Sequence, residues 1–166
     1  MELRRITRHL TMTPWRERRA FPRATLRAIE HAIKCAEAEH AGQIRFAVEG
    51  ALHGARLLRG QTSRERAIEV FSMLRMWDTE QRNGVLIYLL LADRAVELVA
   101  DRGAHIKVGT REWQSICRQM EAKLRAGQYE SAVVSGVQSV SQHLARHFPS
   151  TRPASRELPD SPVVLP

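Results

Sequence analysis

Cysteine is nearly absent from this chain: Cys35 and Cys117 are its only two, with no CxxC spacing. That excludes a disulfide framework and a zinc site, and both thiols are expected to be reduced and mostly buried. Aromatic residues are scarce at 5%, too few for a base-stacking platform. No RNP or helix-turn-helix pattern occurs, so sequence-specific nucleic-acid binding is not expected. No stretch approaches the ~20 apolar residues of a membrane span. Lysine is rare too, three against 23 arginines, a ratio that a GC-rich coding sequence would produce. Residues 1–20 contain Arg4, Arg5 and Arg8 but no apolar run and no small-residue cleavage site. They do not read as a secretory signal, and the expected location is the cytoplasm.

What is present is a chain of one-domain length, 166 residues with 43% apolar side chains and a net charge of +8, enough to bury a core of its own. The positive charge is concentrated at the start. Residues 1–27 hold Arg4, Arg5, Arg8, Arg16, Arg18, Arg19, Arg23 and Arg27 against Glu2 and Glu17. Within residues 1–20, Leu3, Ile6 and Leu10 recur at helical spacing, which predicts a basic amphipathic helix ended or kinked by Pro14. It is expected to dock by its apolar stripe with the arginines in water. A membrane surface or a polyanion is the other contact such a segment could make.

Residues 21–148 read as the folded domain. Pro22 opens a helix with Leu26, Ile29, Ile33 and Ala36 on one face. From Gln43 the period becomes two, predicting a half-buried strand of Ile44, Phe46 and Val48. Thr62 and Glu65 form a capping box for a helix reaching about Trp77. The run Val85–Leu91 suits a central strand covered on both faces. A tight turn at Ala92-Asp93-Arg94 returns the chain as a strand over Ala95–Ala100, and Thr110 is expected to cap a helix carrying Trp113, Ile116, Cys117, Met120 and Leu124. A last helix runs from Tyr129 to near Phe148, and residues 149–166, with five prolines and no period, are expected to be a disordered tail.

The order of elements predicts an α/β fold: a small mixed β-sheet, a parallel pair plus a hairpin, sandwiched between helices. With the turn centred on Asp93-Arg94, Tyr88 would face Val99 and Gly84 would face Gly103. Asn83, Asp101, Arg102 and His105 would then cluster at one end of the sheet, with Asp78 approaching from the preceding helix. That is the amino end of the parallel pair, whereas open parallel sheets bind ligands at the carboxyl end.

The stretch Asp78-Thr79-Glu80-Gln81-Arg82-Asn83-Gly84-Val85-Leu86-Ile87, the turn at Asp93-Arg94, Asp101-Arg102-Gly103 and the later Arg125-Ala126-Gly127-Gln128-Tyr129 resemble the core of the small bacterial TPM-domain proteins, over roughly Ile29 to Phe148. The resemblance implies an α/β sandwich. Phosphatase activity and calcium binding belong to plant members of that family. The acidic residue of longer relatives' "ETGYGLEG" is replaced here by His105, so their metal site does not carry over directly.

Two functions follow. In the first, Asp78 and Asp101 hold a calcium or another divalent cation that polarises a phosphoryl oxygen, with Asn83 beside them and His105 as acid or base. Against it, Asp101 and Asn83 would be ordinary caps of turns and strand ends, Asp78 a cap or ion-pair partner, and His105 a solvated residue. The chain has no DxD pair, HxxE run, phosphate loop or Cys-x5-Arg loop. In the second, the chain is a non-catalytic interaction or binding module with a protein partner. Its residues 1–27 would make weak contacts to polyanions or a membrane surface. Trp15, Trp77 and Trp113 are expected to be core or interface anchors. His143 and His147, spaced i, i+4, lack a third metal ligand.

Overall fold

A computed structural model describes residues 3–150 and 157–166. Four strands form one mixed sheet in the order β3-β2-β1-β4, with β1 at Gln43–Glu49, β2 at Gly84–Leu90, β3 at Ala95–Ala100 and β4 at Val163–Leu165. β1 and β2 are parallel and β2 and β3 antiparallel, the mixed sheet that the element order predicts. All seven residues of β2 are buried, as an uncharged central strand between two helical layers requires. On one face Val85, Ile87 and Leu89 join Ile44, Phe46 and Val48 in a core closed by α3 (Arg23–Glu37), α7 (Thr110–Arg125) and α8 (Tyr129–His147). Phe21 fills the space between Phe46 and Tyr129, with ring centroids 5.6 and 5.8 Å away. On the other face Leu86, Tyr88 and Leu90 pack with Ala67 and Val70 of α5 (Ser63–Met73) and Leu57 of the short α4 (Ala55–Leu58). The capping box of α5 is complete, with Thr62 Oγ1 accepting from the Glu65 N–H and Glu65 from the Thr62 N–H. The helix stops at Met73, one turn short of Trp77, and Arg75 at φ 54 turns the chain away.

The sheet corrects several expectations. The hairpin turn has four residues, 91–94, closed by the Arg94 N–H to the Leu91 carbonyl, with Arg94 left-handed at φ 52. This shifts the register by two, so Tyr88 faces Glu97 and the Asp101 N–H bonds the Gly84 carbonyl. β1 is buried on both faces rather than one, with Ile44, Phe46 and Val48 in the first core and Ala47 in the second, and β4 pairs along its outer edge (Ala47↔Val163, Glu49↔Leu165). The last ten residues are therefore not a disordered tail. Gln43 Oε1 accepts from the Glu157 and Leu158 N–H groups, and Leu165 enters the second core. The rest of the expected tail, residues 151–156, lies outside the described residues. At the opposite edge, Arg64 donates to the Leu98 carbonyl and Glu121 accepts from the Val96 N–H, so side chains occupy part of the open ladder of β3.

The N-terminal segment forms two helices, α1 (Leu3–Thr11) and α2 (Pro14–Ala20). Pro14 starts the second, with Thr13 as its cap. α1 docks on a face rotated from the one its apolar residues predict: of the stripe only Ile6 packs against the second core. His9 is buried and Arg5 half-buried, while Leu3 and Leu10 are 82% and 74% exposed. Ion pairing decides this orientation, as the carboxyl end of the sheet shows below. A further helix, α6 (Arg102–Val108), precedes α7, whose cap is Gly109 rather than Thr110. Trp113 is buried, but Trp15 and Trp77 are exposed and anchor no core, and Cys35 is an exposed free thiol.

Candidate functional site

The backbone brings Asn83, Asp101 and Arg102 to the amino end of the sheet, where the Asn83 and Asp101 side chains have structural roles. Asn83 is fully buried; its Nδ2 donates to the Ala41 carbonyl at 3.0 Å and its N–H to Thr79 Oγ1 at 3.1 Å, tying the entries of β1 and β2 together. Asp101 caps α6, its Oδ1 accepting the Arg102 N–H at 2.6 Å. Asn83 Oδ1 and Asp101 Oδ2 are buried without a hydrogen-bond partner among the described residues. Arg102 is exposed. Asp78 is exposed and paired with Arg75 at 3.2 Å. His105 is not in a loop but on α6, exposed, lining a shallow groove with Arg64, Thr110 and Trp113. Among the described residues no three His, Cys, Asp or Glu side chains lie together as a metal ion would need. An Asp already paired with Arg75 and a helix cap do not fit the calcium or other divalent cation that the family resemblance suggests. The amino end also contains His40, buried, with Nδ1 accepting the Gly42 N–H at 3.1 Å; burial lowers its pKa to about 4 and keeps the ring neutral.

The carboxyl end of the parallel pair is different in kind. β1 ends on Glu49, 2% exposed, whose Oε2 accepts from Tyr88 Oη and from Arg66 Nε, both at 2.8 Å. Arg66 also reaches Glu69 at 3.0 Å. Burial and the neighbouring Glu49 carboxylate push the Tyr88 phenol well above its ordinary range. The next residue, Gly50, lies under α2: a Cβ there would stand 2.5 Å from Glu17 Oε2. Burial raises the Glu17 carboxyl.

The β2–β3 turn at this end is clamped by α1. Arg5 Nε and Nη2 both bond Asp93, at 2.9 and 2.8 Å to Oδ2, and Nη2 also reaches the Gln61 carbonyl. His9 Nδ1 accepts the Leu52 N–H at 2.9 Å, so Nε2 carries the proton donated to Asp93 at 3.1 Å. Burial alone would raise the Asp93 carboxyl; the bonds from Arg5 and His9 outweigh it and hold it below the usual range. This bidentate contact at half-buried Arg5 explains why Leu3 and Leu10 point outward.

Beside the clamp opens a pocket of ≈ 570 Å³. Its lining combines the buried leucines Leu89, Leu91 and Leu124 and half-buried Tyr129 with Met12, the exposed Trp15 and the exposed Arg16, Arg19 and Arg94; no acidic residue lines it. Arg19 lies over the Trp15 ring, 5.3 Å from its centroid. Among the described residues, none of these three guanidiniums has a carboxylate partner. Sequence reasoning missed this site because its cations come from α2 and from the hairpin turn. The rule that parallel sheets bind at their carboxyl ends was the signal that could have found it.

The TPM domain model matches residues 17–143. The chain belongs to the TPM-domain family. Among solved structures, this TPM-domain chain is similar to the BA42 protein of the psychrophilic bacterium Bizionia argentinensis. The two share 27% identity at a TM-score of 0.74, over 86% of this chain and 93% of that one. The N-terminal domain of a protein from P. gingivalis shares the fold at 17% identity and a TM-score of 0.61, over 78% of this chain and 81% of its own. No curated protein matches. The TPM match begins within α2, so α1 and its arginine clamp lie outside the matched segment. No described helix is long and apolar enough to cross a membrane.

Proposed function

We propose that this TPM-domain chain is a non-catalytic binding module that takes an anionic ligand at the carboxyl end of its sheet. One observation carries the reading: Arg16, Arg19 and Arg94, without carboxylate partners among the described residues, gather on a pocket with no acid in its lining. Three cations lining one pocket, with no acid among them, give it a positive potential that favours an anion. Arg94 adds a conformational cost, since a non-glycine residue at φ 52 is strained by roughly 1 kcal/mol.

A metal-dependent hydrolase of phosphate esters is the second reading, favoured by the word phosphatase in the name of the matching family model. The same pocket would hold the ester's anionic group. The candidate ligands Asp78 and Asp101 stand at the far end of the sheet, which argues against their acting on it.

Calorimetry with inorganic phosphate and with sulfate, run beside a phosphate-ester assay containing calcium, magnesium, manganese or zinc, separates the two. The expected result is salt-sensitive anion binding, weakened in Arg19→Gln, with no turnover. Metal-dependent turnover lost in Asp101→Ala would overturn the binding-module reading in favour of the hydrolase.

A further inference from the structure

Resting on that anion-binding reading, we infer that the ligand of the carboxyl-end pocket is a small aromatic anion, held by its flat body as well as by its charge. The charged rim explains only half of the lining. A site for a bare inorganic anion needs donors converging on a small polar nest, as backbone N–H groups do in phosphate loops. Here the floor is apolar: Leu89 and Leu91 of β2 and its turn, Leu124 at the end of α7, and the half-buried ring of Tyr129.

Two aromatic groups line the pocket, one half-buried and one exposed. Tyr129 packs edge-on against Phe21 with centroids 5.8 Å apart, which fixes its ring. Trp15, 64% exposed, stands at the mouth with the Arg19 guanidinium over its ring. Trp15 touches no core, so its exposed indole is available as an aromatic surface for a ligand in the pocket it lines. A guanidinium placed over an indole is also in position to meet an anionic group at the rim. The combination suits a ring that enters between Trp15 and Tyr129 while its anionic group meets Arg16, Arg19 and Arg94. The ≈ 570 Å³ lies within the range of small-molecule pockets and holds one or two fused rings.

Binding would be measured by calorimetry on the full chain with three probes: 1-naphthylphosphonate, whose P–C bond resists hydrolysis, inorganic phosphate and 1-naphthol. The phosphonate is expected to bind at least about tenfold more tightly than either of the others, because each lacks one of the two contributions. Trp15→Ala should remove most of the advantage over phosphate. Arg94→Gly should weaken the phosphonate about tenfold while leaving 1-naphthol unchanged. Glycine accepts φ 52 without strain, so this variant keeps the turn folded.

Equal affinities for phosphate and phosphonate, both lowered by Arg94→Gly, would leave the anion site standing and overturn its aromatic character. Equal affinities for naphthol and phosphonate would overturn the charge requirement. Binding of the phosphonate that neither variant disturbs would place the ligand elsewhere and overturn the inference. No binding of any probe would remove both this inference and the binding-module reading beneath it.

Discussion

The two ends of the sheet differ in what their polar groups are for. At the amino end, Asn83, Asp101 and His40 each bond a backbone group, a carbonyl, a helix start and a turn N–H, while Asn83 Oδ1, Asp101 Oδ2 and His40 Nε2 are buried without a partner among the described residues. At the carboxyl end, charges meet charges. Glu49 with Arg66, and Asp93 with Arg5, are pairs drawn from distant parts of the chain. Next to them Arg16, Arg19 and Arg94 have no carboxylate partner among the described residues. A cluster of polar residues is thus weak evidence of chemistry when each member closes a gap in the backbone. Cations held beside an apolar floor without acids are stronger evidence, because folding alone does not explain them.

The hardest way to break this contrast is at Glu49. Replacing Arg66 by Leu leaves a carboxylate 2% exposed with only the Tyr88 hydroxyl to satisfy it. The loss should be about 3–5 kcal/mol in urea unfolding, and adding Glu49→Gln should return much of it. A loss below about 1 kcal/mol would mean that the pair does not hold the carboxyl end together.

The amino end should fail for a steric reason instead. A Cβ at Gly84 collides with the Met76 backbone carbonyl, which cannot swing aside as a side chain could. Gly84→Ala should cost about 3 kcal/mol, measured by urea unfolding, while anion binding by the remaining folded protein is unchanged.

How much of this contrast the sequence carries depends on the range of each interaction. The apolar run 85–91 and the Thr62–Glu65 box are local patterns, and both elements form where they predict. The hairpin register is off by two because Arg94 adopts a glycine-like conformation that its identity does not announce. β4 escapes because three residues cannot display a period. α1 shows its apolar stripe plainly, yet the Arg5–Asp93 pair spans 88 positions and overrides it. The candidate site follows the same logic. Asn83, Asp101 and Arg102 are adjacent in sequence to the strand ends that bring them together, so their meeting was legible. Arginine excess was equally visible, but which arginines lack a partner is a property of the folded surface alone.

Acid separates the two ends by titration. The ordinary histidine value is 6.5 and His40 lies at about 4, with burial the main cause. As pH falls through 6.5 the unfolded chain takes up a proton that the native ring refuses, so stability declines until about pH 4 and then levels off. The decline amounts to roughly 3 kcal/mol. The raised Glu17 carboxyl acts in the opposite sense, and Asp93, held low, loses its contribution only at more acid pH. Comparing wild type with His40→Gln, which keeps an acceptor for the Gly42 N–H, cancels both. Urea midpoints between pH 7 and pH 4.5 should diverge, with the wild type losing stability relative to the variant as the pH falls. Parallel curves would assign the acid sensitivity to the carboxyl end.

The smallest effect is the one that bears most on function. Asp101→Ala removes the cap of α6 and should cost about 1 kcal/mol, with Asp101→Asn recovering most of that loss because its carbonyl can accept the same Arg102 N–H. Neither variant should alter binding of an aromatic phosphonate, since the residue lies at the opposite end of β2 from Leu89 and Leu91. In thermal melts with calcium, magnesium, manganese or zinc, wild type and Asp101→Ala should shift alike. A stabilisation by one of these ions that disappears with the Asp101 carboxylate would mean that the amino end binds a cation after all, and the distinction between its structural polar groups and the arginines of the carboxyl end would no longer hold.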